Sequence, residues 1–229
     1  MIQAVLFEFE GVIADTRDAR RRALLDTLEE DGVEISDAEY DESCAGLPPR
    51  SAVQAALALR TRAVDDTGVE IVTARADRKF RALVEAGLSL VPGARALVEN
   101  LQGQTRLGIV SRAARRDIEH VLTMAQLDYA FEFVISDDDP FPAKPSAEPY
   151  LGSLERLARR RGVDAKHVVA LEDGVAGIRA AKGAGLRCAV VGTLPVHLAV
   201  NADAIIPTLV GQSAASVDAM TLGKRPAQR

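Results

Sequence analysis

Ala4-Val5-Leu6-Phe7-Glu8-Phe9-Glu10-Gly11 begins with four apolar residues and then turns acidic twice before a glycine. The apolar run is dense enough for a strand covered on both faces, as parallel sheets require, and Gly11 marks its end. Strands of the same kind are read outward from it at Leu107 to Val110, Phe131 to Ile135, Val168 to Leu171, Cys188 to Val191 and Ala204 to Ile206. Helical patterns fill the intervals. Pro92 to Leu101 opens with a proline suited to a first turn, and Asp117 to Leu127 gathers Ile118, Val121, Leu122 and Leu127 on one face. Ser146 to Arg161 and Val175 to Ala184 stop before Gly162 and Gly185, as glycine-ended helices do. This alternation predicts an α/β fold with a doubly wound parallel sheet.

Residues 17–88 break the alternation. They hold Arg20-Arg21-Arg22-Ala23-Leu24-Leu25 and alanine-rich helical stretches without a convincing strand. The clearest helices are Ala52 to Ala63 and Ala74 to Ala86, the second capped by Thr73 and stopped by Gly87. The expected organisation is a core of residues 1–16 and 89–229 with an all-helical cap domain, residues 17–88, inserted after the first strand. The tail Gly223 to Arg229 is expected to fray.

Composition narrows the function classes. The 229 residues carry 28 Lys plus Arg against 33 Asp plus Glu, a net charge of -5, with 4% aromatic residues and no Trp. An acidic chain poor in aromatics lacks the basic face and stacking platforms of a nucleic-acid binder. No apolar run is long enough to cross a membrane. Cys44 and Cys188 read as reduced, buried thiols. A soluble, cytoplasmic, monomeric protein is expected. Gly183-Ala184-Gly185 follows a helix and runs on to Cys188, so it is no dinucleotide fingerprint. His120, His167 and His197 lack metal-ligand spacing.

Chemistry collects at strand ends. In a strand, Glu8 and Glu10 project to one side, and the carboxyl edge of a parallel sheet is where open α/β folds bind ligands. Two neighbouring carboxylates repel unless a cation neutralises them. Ser111 follows the strand ending at Val110, Lys144 follows the acidic run Asp137-Asp138-Asp139, and Glu172-Asp173 ends the strand from Val168. Acid pair, hydroxyl, lysine and second acid pair thus converge on one sheet edge. They are the parts that phosphoryl transfer uses: an attacker, a positioned proton donor and compensation of the charge on the transferred group.

Four segments resemble, in order and spacing, the motifs of the haloacid-dehalogenase superfamily. They are Phe7-Glu8-Phe9-Glu10-Gly11-Val12-Ile13-Ala14-Asp15-Thr16, Ile109-Val110-Ser111-Arg112, the stretch from Lys144 to Leu151, and Leu171-Glu172-Asp173-Gly174 with the residues up to Ile178. The pattern is most similar to the β-phosphoglucomutase-like group, whose helical cap is inserted between the first two motifs. The resemblance implies a hydrolase acting on a small phosphorylated metabolite. Glu8 would be its nucleophile and Glu10 its general acid and base, with Ser111 and Lys144 holding the phosphoryl group. It implies Mg²⁺ held by Glu8, Glu10, Glu172 and Asp173. Substrate contacts are expected at Arg50, in a cap segment starting at Gly46, and at Arg112; Arg75, Arg78 and Lys79 read first as solvated helix-face cations, with the cleft as the alternative. Asp137-Asp138-Asp139 reads first as a solvated acidic loop, and the resemblance offers the alternative that Asp138 orients the lysine or the metal. The family has aspartate where this chain has Glu8 and Glu10. Each glutamate carries its carboxylate about 1.5 Å farther, far enough to take the phosphate's own place. The alternative is therefore a weak or inactive homologue that binds metal, ligand or partner.

Overall fold

The computed structural model describes residues 1–61, 64–159 and 162–222. Strands β1 (Ala4–Phe7), β2 (Arg106–Val110), β3 (Phe133–Ile135), β4 (Val168–Glu172), β5 (Arg187–Val191) and β6 (Ala204–Ile206) form one sheet in the order β3-β2-β1-β4-β5-β6. Every paired neighbour runs parallel. Val5 and Phe7 point into one apolar cluster, Ala4 and Leu6 into another on the opposite face. That is why β1 is apolar at consecutive positions rather than alternate ones. The chain winds outward through β2 and β3 on one side of β1 and through β4 to β6 on the other. The crevice at such a reversal, beyond the carboxyl ends of the strands, is the usual ligand position.

Register brings the chemistry together. Phe7 pairs with Ile109 of β2 and with Leu171 of β4, so the next residues out, Glu8, Val110-Ser111 and Glu172, share one level. β1 itself ends at Phe7, however, and Glu10 lies in a turn where it bridges Ala14. The direction of Glu10 is set by that turn, with Gly11 at φ 78°, and not by the strand pleat assumed from the sequence.

Four helices separate β1 from β2: α1 (Arg17–Glu30), α2 (Asp37–Ser43), α3 (Pro49–Leu59) and α4 (Asp66–Ala86). Leu24, Leu28, Tyr40, Val53, Leu57 and Val72 give them an apolar cluster of their own. Phe80 and Val84, near the end of α4, instead join the cluster under the sheet. The cap of α4 lies eight residues before the predicted Thr73 cap. The Asp65 carboxylate accepts from the Gly68 N–H at 2.8 Å and caps the helix first, while the Thr73 hydroxyl donates to Val69 O at 2.7 Å inside it. α3 stops at Leu59 because Arg60 turns back to Glu39 and to the Glu34 carbonyl. Ala63, at the expected end of α3, lies outside the described residues.

The remaining helices, α5 (Ala94–Leu101), α6 (Arg115–Met124), α7 (Glu148–Ala158), α8 (Val175–Gly183) and α9 (Ala214–Thr221), cover the sheet. α5 is capped by Gly93 at φ 88°, so Pro92 lies ahead of the helix and not in its first turn; the backbone of Leu209 and Val210 occupies the space a Cβ would need at Gly93. α6 begins and ends slightly before its predicted span, and α8 stops at Gly183, with Gly185 left-handed just beyond. The expected end of α7 at Arg160 and Arg161, and the tail Gly223 to Arg229, also fall outside the described residues. Cys44 and Cys188 are buried free thiols. Among the described residues no helix is long and apolar enough to cross a membrane.

Candidate active site

Glu8 is the hub. Its Oε1 accepts the Phe9 N–H at 2.7 Å and the Ser111 hydroxyl at 2.5 Å; its Oε2 accepts Lys144 Nζ at 2.7 Å. The carboxylate is buried, as are Ser111 and Lys144. Ser111 is fixed from below by its own N–H, bonded to Ile135 O of β3 at 2.9 Å, and its oxygen accepts the Ala113 N–H at 3.2 Å. Lys144 spends its other protons on Val110 O at 2.7 Å and Glu172 Oε1 at 2.5 Å. Burial would drive such an ammonium to release its proton, yet Glu172 and Glu8 outweigh that, and its pKa lies above the ordinary value.

Glu172 closes the base of the site. Tyr150 donates its hydroxyl to the same Oε1. Burial pushes the Glu172 carboxyl up to about 7, against the downward pull of Lys144. The side chain fits only because residue 177 is glycine: a Cβ there would overlap the carboxylate. Asp173, one residue on, turns to the other side and pairs with the Arg17 guanidinium, which crosses directly over Gly11. Burial and the nearby Glu8 raise the Asp173 pKa, with Arg17 opposing. Glu10 accepts the Thr16 hydroxyl at 3.3 Å and faces Arg20 Nε at 3.5 Å.

Above these groups lies a cavity of about 480 Å³ between sheet edge and inserted helices. Glu8, Glu10 and Ser111 line its floor, Leu24, Tyr40 and Val53 its helical side. Arg112 reaches in beneath Gly46, the first residue of the segment expected to hold substrate. Arg50, from the same segment, does not line this cavity. It bonds Asp66 at 2.6 Å and Glu70 at 3.0 Å on α4, and those two acids keep it at the outer surface. Arg75 and Lys79 likewise reach the end of α1, at Glu30 and Asp31. Asp138 accepts the Arg115 N–H at 2.6 Å and so caps α6 instead of touching Lys144; Glu172 orients the lysine.

The four acids expected to hold a metal are separated by their partners: Glu8 by Ser111 and Lys144, Glu172 by Lys144 and Tyr150, Asp173 by Arg17, Glu10 by Thr16 and Arg20. Among the described residues no three His, Cys, Asp or Glu side chains form a group able to hold a metal ion. In this arrangement the four acids do not converge on one point, since Lys144 stands between Glu8 and Glu172 while Arg17 and Arg20 draw off Asp173 and Glu10, so a divalent cation does not fit until those partners move.

Sequence reasoning missed Arg17, Arg20 and Tyr150. Tyr150 lies inside the third quoted segment, six residues after Lys144, so the helix that follows the lysine carries its partner's hydroxyl. Arg17 and Arg20 had one signal: cations opening a helix directly after an acid-rich strand end.

Sheet order and site define a parallel α/β scaffold with helices inserted after its first strand and acids, a hydroxyl and a lysine gathered at the strand ends. The chain belongs to the haloacid dehalogenase-like hydrolase family, which it matches over residues 5–191. It is 30% identical to protein CbbY of Cereibacter sphaeroides over 200 residues, 83% of this chain and 84% of that protein. With hexitol phosphatase B of Escherichia coli strain K12 it shares 31% over 191 residues, 83% of each. Its fold is that of β-phosphoglucomutase from Clostridium difficile, with a TM-score of 0.84 at 19% identity over 97% of this chain and 98% of that one.

Proposed function

We propose that the chain is a phosphatase acting on a small phosphorylated metabolite of the sugar-phosphate class, bound between the α/β core and the helices of residues 17–88. One observation carries this reading: a backbone N–H, a hydroxyl and an ammonium converge on one buried point under a cavity of about 480 Å³. Three convergent donors in a water-poor site are what a phosphoryl group needs. The likeness to a hexitol phosphatase supports the substrate class.

In this reading Ser111, Lys144 and the Phe9 N–H seat the phosphoryl oxygens. A Glu8 oxygen attacks phosphorus and forms an acyl-phosphate while the ester oxygen leaves with a proton from Glu10. Glu10 then takes a proton from the water that hydrolyses the acyl-phosphate, which restores both carboxyl groups. Arg112 meets the remainder of the substrate. Magnesium enters the proposal on the family resemblance alone: Asp173 would have to leave Arg17 before it could serve as a ligand, and no step above is routed through a metal. Transfer of the phosphoryl group to a second sugar hydroxyl, a mutase reaction, is a variant of the same chemistry.

A second reading rests on a specific observation. Both first-motif carboxylates are glutamates already engaged inside the protein, which favours a homologue that binds ligand without turnover. Phosphate release from a panel of hexose, pentose and hexitol phosphates, with and without Mg²⁺, separates the two. The phosphatase reading expects turnover that Glu8→Gln abolishes. Silence of the wild type across the panel would select the binding reading.

A further inference from the structure

We propose that the Glu8 carboxylate is a built-in occupant of the anion site, so that a phosphoryl group enters only by displacing it. The inference rests on reading the cleft as a phosphate-ester site. Carboxylate and phosphoryl oxygens are the same kind of acceptor, and here the donors of the Phe9 N–H, Ser111 and Lys144 are all directed at Glu8, at 2.7, 2.5 and 2.7 Å. None of the three points past it into the cavity. A phosphate approaching this point would meet the Glu8 charge head-on, with Glu172 and Asp173 close behind, and like charges in a buried site repel strongly. The two anions cannot share the donors.

The length of the side chain makes the latch. An aspartate at position 8 would end about one C–C bond, roughly 1.5 Å, short of this position and leave the donors open. Glutamate reaches them, and its extra torsion also gives it a way out, because Glu8 borders the cavity and can swing toward it. Once displaced, the carboxylate lies beside the phosphoryl group it has released the donors to. Occupancy of the latch lowers apparent phosphate affinity by the fraction of time the donors are free.

Titration with inorganic phosphate, by calorimetry on the intact chain, tests this. Glu8→Ala is expected to bind phosphate at least tenfold more tightly than wild type, with Glu8→Asp in between or equal to it. Adding Lys144→Met to Glu8→Ala should remove the gain. Lys144 keeps Glu172 as partner in the alanine variant, and the aspartate variant retains the acid if the alanine variant fails to fold. Wild type binding phosphate as tightly as both variants would overturn the latch while leaving the phosphatase reading in place. Tightened binding with no phosphate release from any ester by wild type would keep the latch and end the phosphatase reading. No binding by any variant would overturn the latch by removing the anion site itself.

Discussion

Arg20→Met tests what holds the helical insertion onto the sheet. Arg20, on α1, bonds Asp117 of α6 at 3.0 Å, reaches Asp77 of α4 at 3.4 Å and lies 3.6 Å from the centre of the Phe80 ring. Asp117 is fully buried, and the Arg20 side chain is only 15% exposed. Removing one partner of a buried pair costs about 3–5 kcal/mol when the other is orphaned. Neither acid is orphaned here, since Asp117 keeps Arg81 at 3.0 Å and Asp77 keeps Arg116 at 2.5 Å, so about 2 kcal/mol is assigned to the ion pairs. The desolvated contact with Phe80 adds about 1 kcal/mol. Methionine retains part of the apolar stem, so the expected loss is about 3 kcal/mol. With a urea m-value near 3 kcal/mol per M, at the upper end for small proteins, the midpoint falls by about 1 M. Asp117→Asn added to Arg20→Met should cost less than the two single losses added together, because charges in contact are not additive. A midpoint shift below about 0.3 M, or a double variant whose loss equals the sum of the two single losses, would refute the assignment.

Lys144→Met leaves Glu8 and Glu172 as buried acids facing each other without their cation. The expected cost is at least about 3 kcal/mol in denaturant melts, together with loss of phosphate release. Gly177→Ala places a methyl on the Glu172 carboxylate and should cost about 2 kcal/mol by overpacking; unchanged thermal stability would show that Glu172 can move aside freely. Glu39, bonded by Arg60 and by Ser36, has its pKa lowered to about 2. A lowered folded-state pKa means its contribution is complete above the unfolded value near 4.5 and is lost as pH falls toward 2. Carboxyl carbon NMR on wild type should find this titration, and Arg60→Ala should raise it toward the ordinary carboxylate range, with Ser36 still holding it below.

The strand ends were readable because they need only an apolar run and a break. β6 was placed at its observed limits and β2, β4 and β5 gained one residue at an end, whereas β3 begins at Phe133 rather than Phe131 and β1 ends at Phe7 ahead of the break at Gly11. Helix starts were harder. Thr73 and Pro92 are sound cap and first-turn residues in isolation, but Asp65 and Gly93 came earlier or fitted the neighbouring backbone better. In the site, Glu8, Ser111, Lys144 and Glu172 meet as strand-end logic predicts. The roles of Arg17 and Arg20 were not legible, since nothing local says which of the consecutive arginines in α1 faces inward. Arg50 was misplaced for the opposite reason: its true partners, Asp66 and Glu70, lie on a helix whose beginning was predicted too late.

The pairing of β1 ties the site to the order in which the chain assembles. Phe7 is hydrogen-bonded between residues 109 and 171, so both neighbours of the first strand are made long after it during synthesis. Until β4 arrives, β1 has an open edge and Lys144 has no Glu172. Contacts of such long sequence separation form slowly, and a slip of one residue would turn Glu8 to the opposite face of the sheet. Burial of Lys144 therefore reports that β4 has docked beside β1, and no amino-terminal fragment ending before residue 168 can possess the site.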